Sequence, residues 1–224
     1  MHSHLLPGVD DGVQTAEESL ICLRQFAAWG VQHLVTTPHI SQDRYPNTTA
    51  HLRAAAQEIQ DLIRAENLPI TFTVAAEYML DELFVERLEE DDLLSFGHER
   101  YVLIETGWVS LPLTVHHWLF QLQTRGYRPV LAHPERYPYL RGKIEALHEL
   151  RRQGCLFQIN LMSLTNRYGA DTRRAAQTLI KHRLVDFVAS DLHRPHDLVL
   201  LEKARQTTDY QAICTLPLIM PTFI

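Results

Sequence analysis

A chain of 224 residues, 46% hydrophobic and 21% charged, carries enough apolar side chain for a sizeable core and is not composed like a disordered protein. Its formal net charge of −6, with no basic run, argues against non-specific binding to nucleic acid or to an anionic membrane. No apolar run reaches the ~20 residues that span a bilayer and no signal peptide opens the chain, so membrane insertion is not expected; three scattered cysteines, Cys22, Cys155 and Cys214, give no disulfide framework and suit a reducing cytoplasm.

The chain begins MHSHLLPGVDDG. In an extended segment His2 and His4 point the same way, so two imidazoles can reach one ion, and Asp10 or Asp11 follows within a loop's reach. TAEESLICLRQFAAWG reads as a helix with Thr15 and Glu18 as a capping box and Gly30 as its stop. VQHLVTTPH reads as a short buried strand ending at Pro38-His39, and the stretch from Asn47 to Pro69 as a long amphipathic helix. ITFTVAAEY is the next strand, DELFVERLEEDD a short acidic helix, RYVLIETGW a strand and TVHHWLFQLQTRG a helix. YRPVLAHPER is a fifth strand. A helix through KIEALHELRRQG leads to the strand CLFQIN, and one through TRRAAQTLIKHR leads to VDFVASDLH. Counting the opening segment, about seven strands alternate with helices, which implies parallel strands with right-handed crossovers. No Gly-, Ser- or Pro-rich linker divides the chain, so residues 1–224 read as a single α/β domain, either a barrel or a doubly wound sheet.

Almost every apolar run ends in a metal-competent side chain: His2 and His4, His39, Glu77, Glu105, His133, Asn160, then Asp191 and His193. In parallel α/β barrels functional groups lie at the carboxyl ends of the strands, so this register gathers them on one rim. Individually each has a plain structural explanation: a turn residue, a helix cap or an arginine partner. Together they would require several coincidences in register. Five histidines with several carboxylates and no cysteine form a mixed N/O set that suits Mn, Fe or Zn better than Ca. The donors outnumber what one ion needs, so two or three neighbouring ions are expected. Arg136 and Arg194 follow His133 and His193 closely enough to bind phosphate oxygens near the rim. His196 and Asn160 are weaker, supporting candidates, and the remaining histidines read as solvated or packed. The thiolate phosphatase loop, the G-x-x-x-x-G-K-[ST] loop, G-x-G-x-x-G, H-E-x-x-H and G-x-S-x-G are all absent.

HSHLLPGVDDG, TPH, AAEY, LIE, AHPER and ASDLH stand in the order found in bacterial PHP-superfamily protein-tyrosine phosphatases, and from Met1 to about His193 the chain resembles that family. These are manganese-dependent enzymes of capsule and exopolysaccharide operons, of the CpsB and YwqE type. The resemblance implies a distorted (β/α)7 barrel with the metal centre at the C-terminal ends of its strands. By position, His2, His4, Glu77 and Asp191 would hold one ion; Glu77, Glu105 and His133 a second; Asp11, His39 and His193 a third. It favours Asp11 over Asp10, and it places Asp11, Arg136 and Arg194 among the catalytic residues, the arginines on substrate phosphate. The implied substrate is the phosphotyrosine tail of a partner tyrosine kinase, hydrolysed without a phosphoenzyme, with homo-oligomers left open. A PHP phosphoesterase for a small metabolite such as histidinol phosphate is the alternative reading, and a non-catalytic kinase-binding protein a third. Two features depart from the family pattern. Only Met1 precedes His2, leaving the first strand weakly anchored, and the C-terminal CTLPLIMPTFI is apolar, fit to pack across the barrel bottom or to mediate assembly.

Overall fold

The computed structural model describes residues 1–222. Its strands are β1 (His33–Thr36), β2 (His39–Ile40), β3 (Thr71–Val74), β4 (Glu77–Met79), β5 (Tyr101–Glu105), β6 (Arg128–Ala132), β7 (Leu156–Asn160) and β8 (Phe187–Ala189). The helices are α1 (Ala16–Ala28), α2 (Thr49–Ala65), α3 (Glu82–Glu89), α4 (Val115–Thr124), α5 (Ile144–Arg152), α6 (Ala170–Lys181), α7 (Asp197–Arg205) and α8 (Thr208–Ile213). All strand pairs are parallel, β1 with β3 and the others in the order β2-β4-β5-β6-β7-β8. No helix among the described residues is long and apolar enough to cross a membrane.

The run expected to end at Pro38-His39 instead continues beyond it. β1 and β2 are successive parts of one extended stretch, as are β3 and β4, and the amides of Ala75 and Glu77 donate to the carbonyls of Thr36 and Pro38 at 2.8 and 3.0 Å. Pro38 has no N–H, so the ladder loses a rung where the two pairs meet. The opening segment forms a single bridge, Ser3 with Leu192, rather than a strand. It is nevertheless tied on both sides: His4 N donates to Leu192 O at 2.9 Å, Asp191 N to His2 O at 3.0 Å, and Thr37 N to Ser3 O at 2.7 Å. The distorted (β/α)7 barrel implied by the family resemblance is therefore not reproduced as a continuous ladder among the described residues; a parallel α/β sheet is.

Side-chain alternation splits the core in two. Val102 and Ile104 of β5, Leu131 of β6 and Phe157 and Ile159 of β7 pack with helix residues such as Phe84, Leu119, Leu150 and Leu179. Tyr101 and Leu103, Val130 and Ala132, and Phe187 form a second cluster that contains no helix residue. The period of two puts Glu105, Gln158 and Asn160 on this helix-free face, at the carboxyl ends of their strands. Apolar residues fill its other end, where the C-terminal segment crosses: Ile219 N donates to Asp186 O at 2.8 Å, His98 N donates to Thr222 O at 3.1 Å, and Ile219 packs against the second cluster. The apolar tail thus covers the N-terminal ends of the strands, as one reading of the sequence had it, although its last two residues, Phe223 and Ile224, lie outside the described residues.

Thr15 caps α1 as expected, accepting from Glu18 N at 3.2 Å, while the Glu18 carboxylate reaches the amide of Gln14 at 2.7 Å. Phe187 meets Tyr101 and Phe96 edge to face at 5.1 and 6.1 Å. Phe187→Ala should cost about 3–5 kcal/mol; urea denaturation checks this, and a loss below ~1 kcal/mol would show that the helix-free face is not close-packed.

Candidate metal centre

All nine candidate ligands converge at the carboxyl edge of the sheet. His2 and His4 come from the opening segment, Asp11 from the loop after it, His39 and Glu77 from the first positions of β2 and β4, and Glu105 from the last of β5. His133 directly follows β6, and Asp191 and His193 follow β8. Three of them, His2, His133 and Asp191, have left-handed backbones with φ of 59°, 36° and 48°. For non-glycine residues this conformation costs on the order of 1–3 kcal/mol each, and it persists only where surrounding contacts enforce it. In these three it occurs in fully packed surroundings.

Glu77 is the hub. Its Oε2 lies 3.2 Å from His2 Nε2, 3.4 Å from His4 Nε2 and 3.3 Å from His39 Nδ1, and its Oε1 lies 2.9 Å from His133 Nε2. The donor atoms fall into three overlapping groups, each within 4.8 Å: His2, His4, Glu77 and Asp191; His4, Asp11, His39 and His193; and His39, Glu77 and Glu105. The first group coincides with the set implied by resemblance. The second contains Asp11, His39 and His193 with His4 added. In the third, His39 stands where His133 was expected, because the His133 ring is turned onto the other oxygen of Glu77.

The surrounding side chains fix which ring nitrogen faces inward. His2 Nδ1 donates to Gln158 Oε1 at 2.6 Å, and Gln158 Nε2 donates to Asn160 Oδ1 at 2.8 Å. Asn160 Nδ2 then donates to Asp191 Oδ2 at 2.5 Å. His4 Nδ1 donates to Asp10 Oδ2 at 2.7 Å. Asp10 also accepts the amides of Gly12 and His39, at 2.9 and 3.0 Å, so it orients the centre while its neighbour Asp11 faces His39 and His193 at 3.5 Å. Asp197 accepts the amides of His193 and Arg194 and shapes the last loop, and Glu135 accepts from Asn160 N and Ser163 Oγ. Such outer contacts set ligand orientation in metal sites. Gln158, Glu135 and Asp197 were not singled out by the sequence; only the alternation of β7, which puts Gln158 on the same face as Asn160, could have marked one of them.

Burial alone would lower the His2 pKa, but the charges of Glu77 and Asp191 reverse this and raise it to about 10. His4 is likewise raised well above its ordinary value, with Asp10 as the chief opposing charge to burial. Burial would raise Glu77 and Asp191, yet the facing histidines, His2 foremost, hold both well below the usual carboxylate range. Protons on the imidazoles thus balance a nest of buried carboxylates. His39 Nδ1 is buried and makes no hydrogen bond of good geometry, although Glu105 Oε1 and Glu77 Oε2 lie 3.0 and 3.3 Å away. Donor atoms that approach without hydrogen bonding suit a shared cation, and the nitrogen–oxygen set fits a divalent transition metal.

The centre opens into a cavity of about 470 Å³. Arg136 reaches it with Nη1 donating to Asp191 Oδ2 at 3.0 Å, its guanidinium set between the rings of Trp108 at 5.0 Å and Tyr168 at 4.4 Å. Arg194 lies across the mouth, donating from Nη2 to Asp11 O at 3.3 Å, and His196 lines the same cavity beside Asp197. The guanidinium groups of Arg136 and Arg194 thus share the cavity with the carboxylates of the cluster, an arrangement able to bind an anion next to bound cations.

Two outcomes follow from this geometry. A Cβ on Gly12 would fall 2.4 Å from His4 O and 2.5 Å from His4 Cβ, so Gly12→Ala must part the loop of Asp10 and Asp11 from the opening segment; metal content should drop while far-UV circular dichroism persists, and unchanged metal content would refute this account. His2 is protonated at pH 7 in the metal-free protein, because its pKa of about 10 lies above the solution pH. A cation must displace that proton, so binding should release protons and tighten as pH rises. Calorimetric titration in buffers of different ionisation enthalpy measures the release, and binding without proton release would contradict it.

The match to known proteins agrees with this geometry. The profile of the capsular polysaccharide synthesis family CpsB/CapC matches residues 1–205. The tyrosine-protein phosphatase YwqE of Bacillus subtilis is 31% identical over 193 residues, covering 86% of this chain and 76% of that protein. The tyrosine-protein phosphatase CpsB of Streptococcus pneumoniae is 30% identical over 200 residues, covering 86% of this chain and 82% of that one. A solved structure described among those of YwqE and CpsB, "unique metal-dependent tyrosine phosphatases", superposes with a TM-score of 0.80 at 26% identity, over 100% of this chain and 98% of the other. With its sequence, fold and ligand-like cluster in agreement, this chain belongs to the CpsB/CapC family.

Proposed function

We propose that this chain is a metal-dependent phosphotyrosine phosphatase whose substrate is the tyrosine-phosphorylated tail of a protein kinase governing capsular or extracellular polysaccharide synthesis in the cytoplasm. The observation that carries the reading is the convergence of four imidazoles on Glu77, with His193, Asp11, Glu105 and Asp191 closing around them and Arg136 at the edge of the same cavity. The tyrosine phosphatase names of the relatives and the capsular description of the family support the substrate class. The same reading takes the domain as one distorted (β/α)7 barrel spanning residues 1–224. If β1 with β2 and β3 with β4 are each one stave, the opening segment is the seventh, hydrogen-bonded to the stretches on either side of it.

His2, His4, Glu77 and Asp191 would hold one ion, and Asp11, His39 and His193 another. Glu77 and Glu105, with His133 on the far oxygen of Glu77, would complete a third position. Manganese is the first choice, with iron or zinc also compatible with the donors. Divalent ions there would polarise the phosphoryl oxygens and acidify water, the chemistry such clusters supply. The protein's own residues do the rest. Arg136 and Arg194 bind and orient the equatorial phosphoryl oxygens, and Arg136 is held in its plane by two aromatic rings and Asp191. Asp10, Gln158 and Asn160 keep the inward nitrogens of His4 and His2 free of protons once cations are bound. A cysteine nucleophile has no support: no cysteine lines the cavity, and burial pushes the thiols of Cys22 and Cys155 up to about 12.

The test is phosphate release from a phosphotyrosine peptide with manganese restored, repeated with chelator and with histidinol phosphate as competing substrate. Chelator-sensitive release that favours the peptide is expected; faster turnover of histidinol phosphate would move the assignment to a small metabolite. Glu77→Gln should remove bound metal and lower turnover by more than about 100-fold, and wild-type activity in that variant would sink the cluster assignment.

A further inference from the structure

The metal centre and the arginines account for a phosphoryl group and say nothing about what it is attached to. Of the aromatic and thioether side chains along the cavity, Met162 is fully buried, which leaves Tyr45, Met79, Trp108 and Tyr168 to meet the rest of a substrate. Tyr45 already lies flat against His39, with centroids 5.6 Å apart and planes at 14°. Tyr168 is covered by the Arg136 guanidinium and is half-buried. Met79, on the helix-free face beside Glu105, is half-buried as well. Trp108 differs: it lines the cavity and is still 48% exposed.

Its position is fixed rather than loose. Trp108 stands three residues beyond Glu105, after Thr106, whose amide donates to the Tyr137 hydroxyl oxygen at 3.2 Å and whose hydroxyl bonds that of Tyr139. The indole meets the buried Tyr137 ring at 5.4 Å and lies parallel to the His133 imidazole, with planes at 9° and centroids 6.3 Å apart. The Arg136 guanidinium carbon is 5.0 Å from its ring centre. A phosphoryl group seated on Arg136 therefore has its ester oxygen beside a held, half-open aromatic plane. Aromatic rings pair offset or edge to face at centroid separations of ~4.5–7 Å, and a flat leaving group on that oxygen meets the indole within this range.

We infer that Trp108 is a specificity-determining residue, forming the wall on which the aryl ring of an aryl phosphate packs and so selecting phosphotyrosine over phosphoesters with short aliphatic leaving groups. This rests on the phosphatase reading above.

Trp108→Ala and Trp108→Phe, each assayed with manganese, test it. For Trp108→Ala the KM for a phosphotyrosine peptide should rise about tenfold while the Ki of inorganic phosphate stays within about twofold, since phosphate has no ring to lose. Trp108→Phe should restore most of the lost KM. Phenylphosphonate, and not inorganic phosphate, should alter the tryptophan emission of the wild-type protein, and Trp108→Phe should abolish that signal. A parallel rise of KM and phosphate Ki would mean that Trp108 acts only by placing Arg136, and it would overturn the inference. So would a Trp108→Ala enzyme with unchanged KM beside an active wild type, which leaves the phosphatase reading intact. A wild-type protein that releases no phosphate from the peptide would sink both.

Discussion

Glu77 is a carboxylate without any exposure to water, and four imidazoles face it. Moving an ionised carboxylate out of water costs several kcal/mol unless opposite charge and hydrogen bonds compensate. Here the burden is larger, because Asp191 is buried beside it and Glu105 is nearly so. Apolar packing cannot offset such a concentration of like charge. Cationic partners can, whether protons on His2 and His4 or metal ions in their place. The high proton affinity of these histidines and the low affinity of Glu77 and Asp191 are two descriptions of the same imbalance.

The backbone around this hub is arranged to bring donors in from separate strands. A parallel sheet points all its carboxyl ends one way, which delivers one side chain per strand but not its final direction. Direction comes from local departures: left-handed residues at His2, His133 and Asp191, the glycine at position 12 pressed against His4, and the proline that interrupts the ladder between β1 and β2. The left-handed residues are unfavourable by themselves, and hydrogen bonds hold them: the His2 carbonyl accepts from Asp191 N and Ser190 Oγ, and the His133 ring is bonded to Glu77. The few residues from His2 to His4 therefore hold the two sides of the sheet in position and also supply two of the imidazoles.

How far the sequence disclosed this depended on the kind of information needed. The convergence was legible because it needs only a strand-by-strand count of which polar residue ends each apolar run. The helix α1 cap at Thr15 was equally local. Sheet closure was not legible, because it depends on single hydrogen bonds such as Thr37 to Ser3, whose partners lie far apart in the chain. Nor were Gln158, Glu135 and Asp197, whose roles come from tertiary contacts and whose sequence surroundings are ordinary. The exchange of His133 for His39 near Glu105 turns on the rotation of one ring, which no spacing encodes. The choice of Asp11 over Asp10 came from family likeness, and the geometry supplies its physical reason: Asp10 has its oxygens engaged by His4, Gly12 and His39.

Asp191 connects the two halves of the site. Its Oδ1 faces His2 at 3.1 Å, on the cluster side, while its Oδ2 accepts from Asn160 and from Arg136. One carboxylate thus sets the distance between the metal-competent cluster and the Arg136 guanidinium. The line of bonds from His2 through Gln158 and Asn160 returns to that same carboxylate, so His2 and Asp191 cannot shift independently. A guanidinium is suited to this post because its planar fork can keep one N–H on Asp191 and offer others to phosphoryl oxygens, whereas a lysine ammonium would act as a point charge free to move. The aromatic rings on either side of Arg136 complete the constraint by confining that plane. The position of the Arg136 guanidinium is thereby tied to the charge balance around Glu77, and the requirement to neutralise buried carboxylates also fixes the cation at the edge of the cavity.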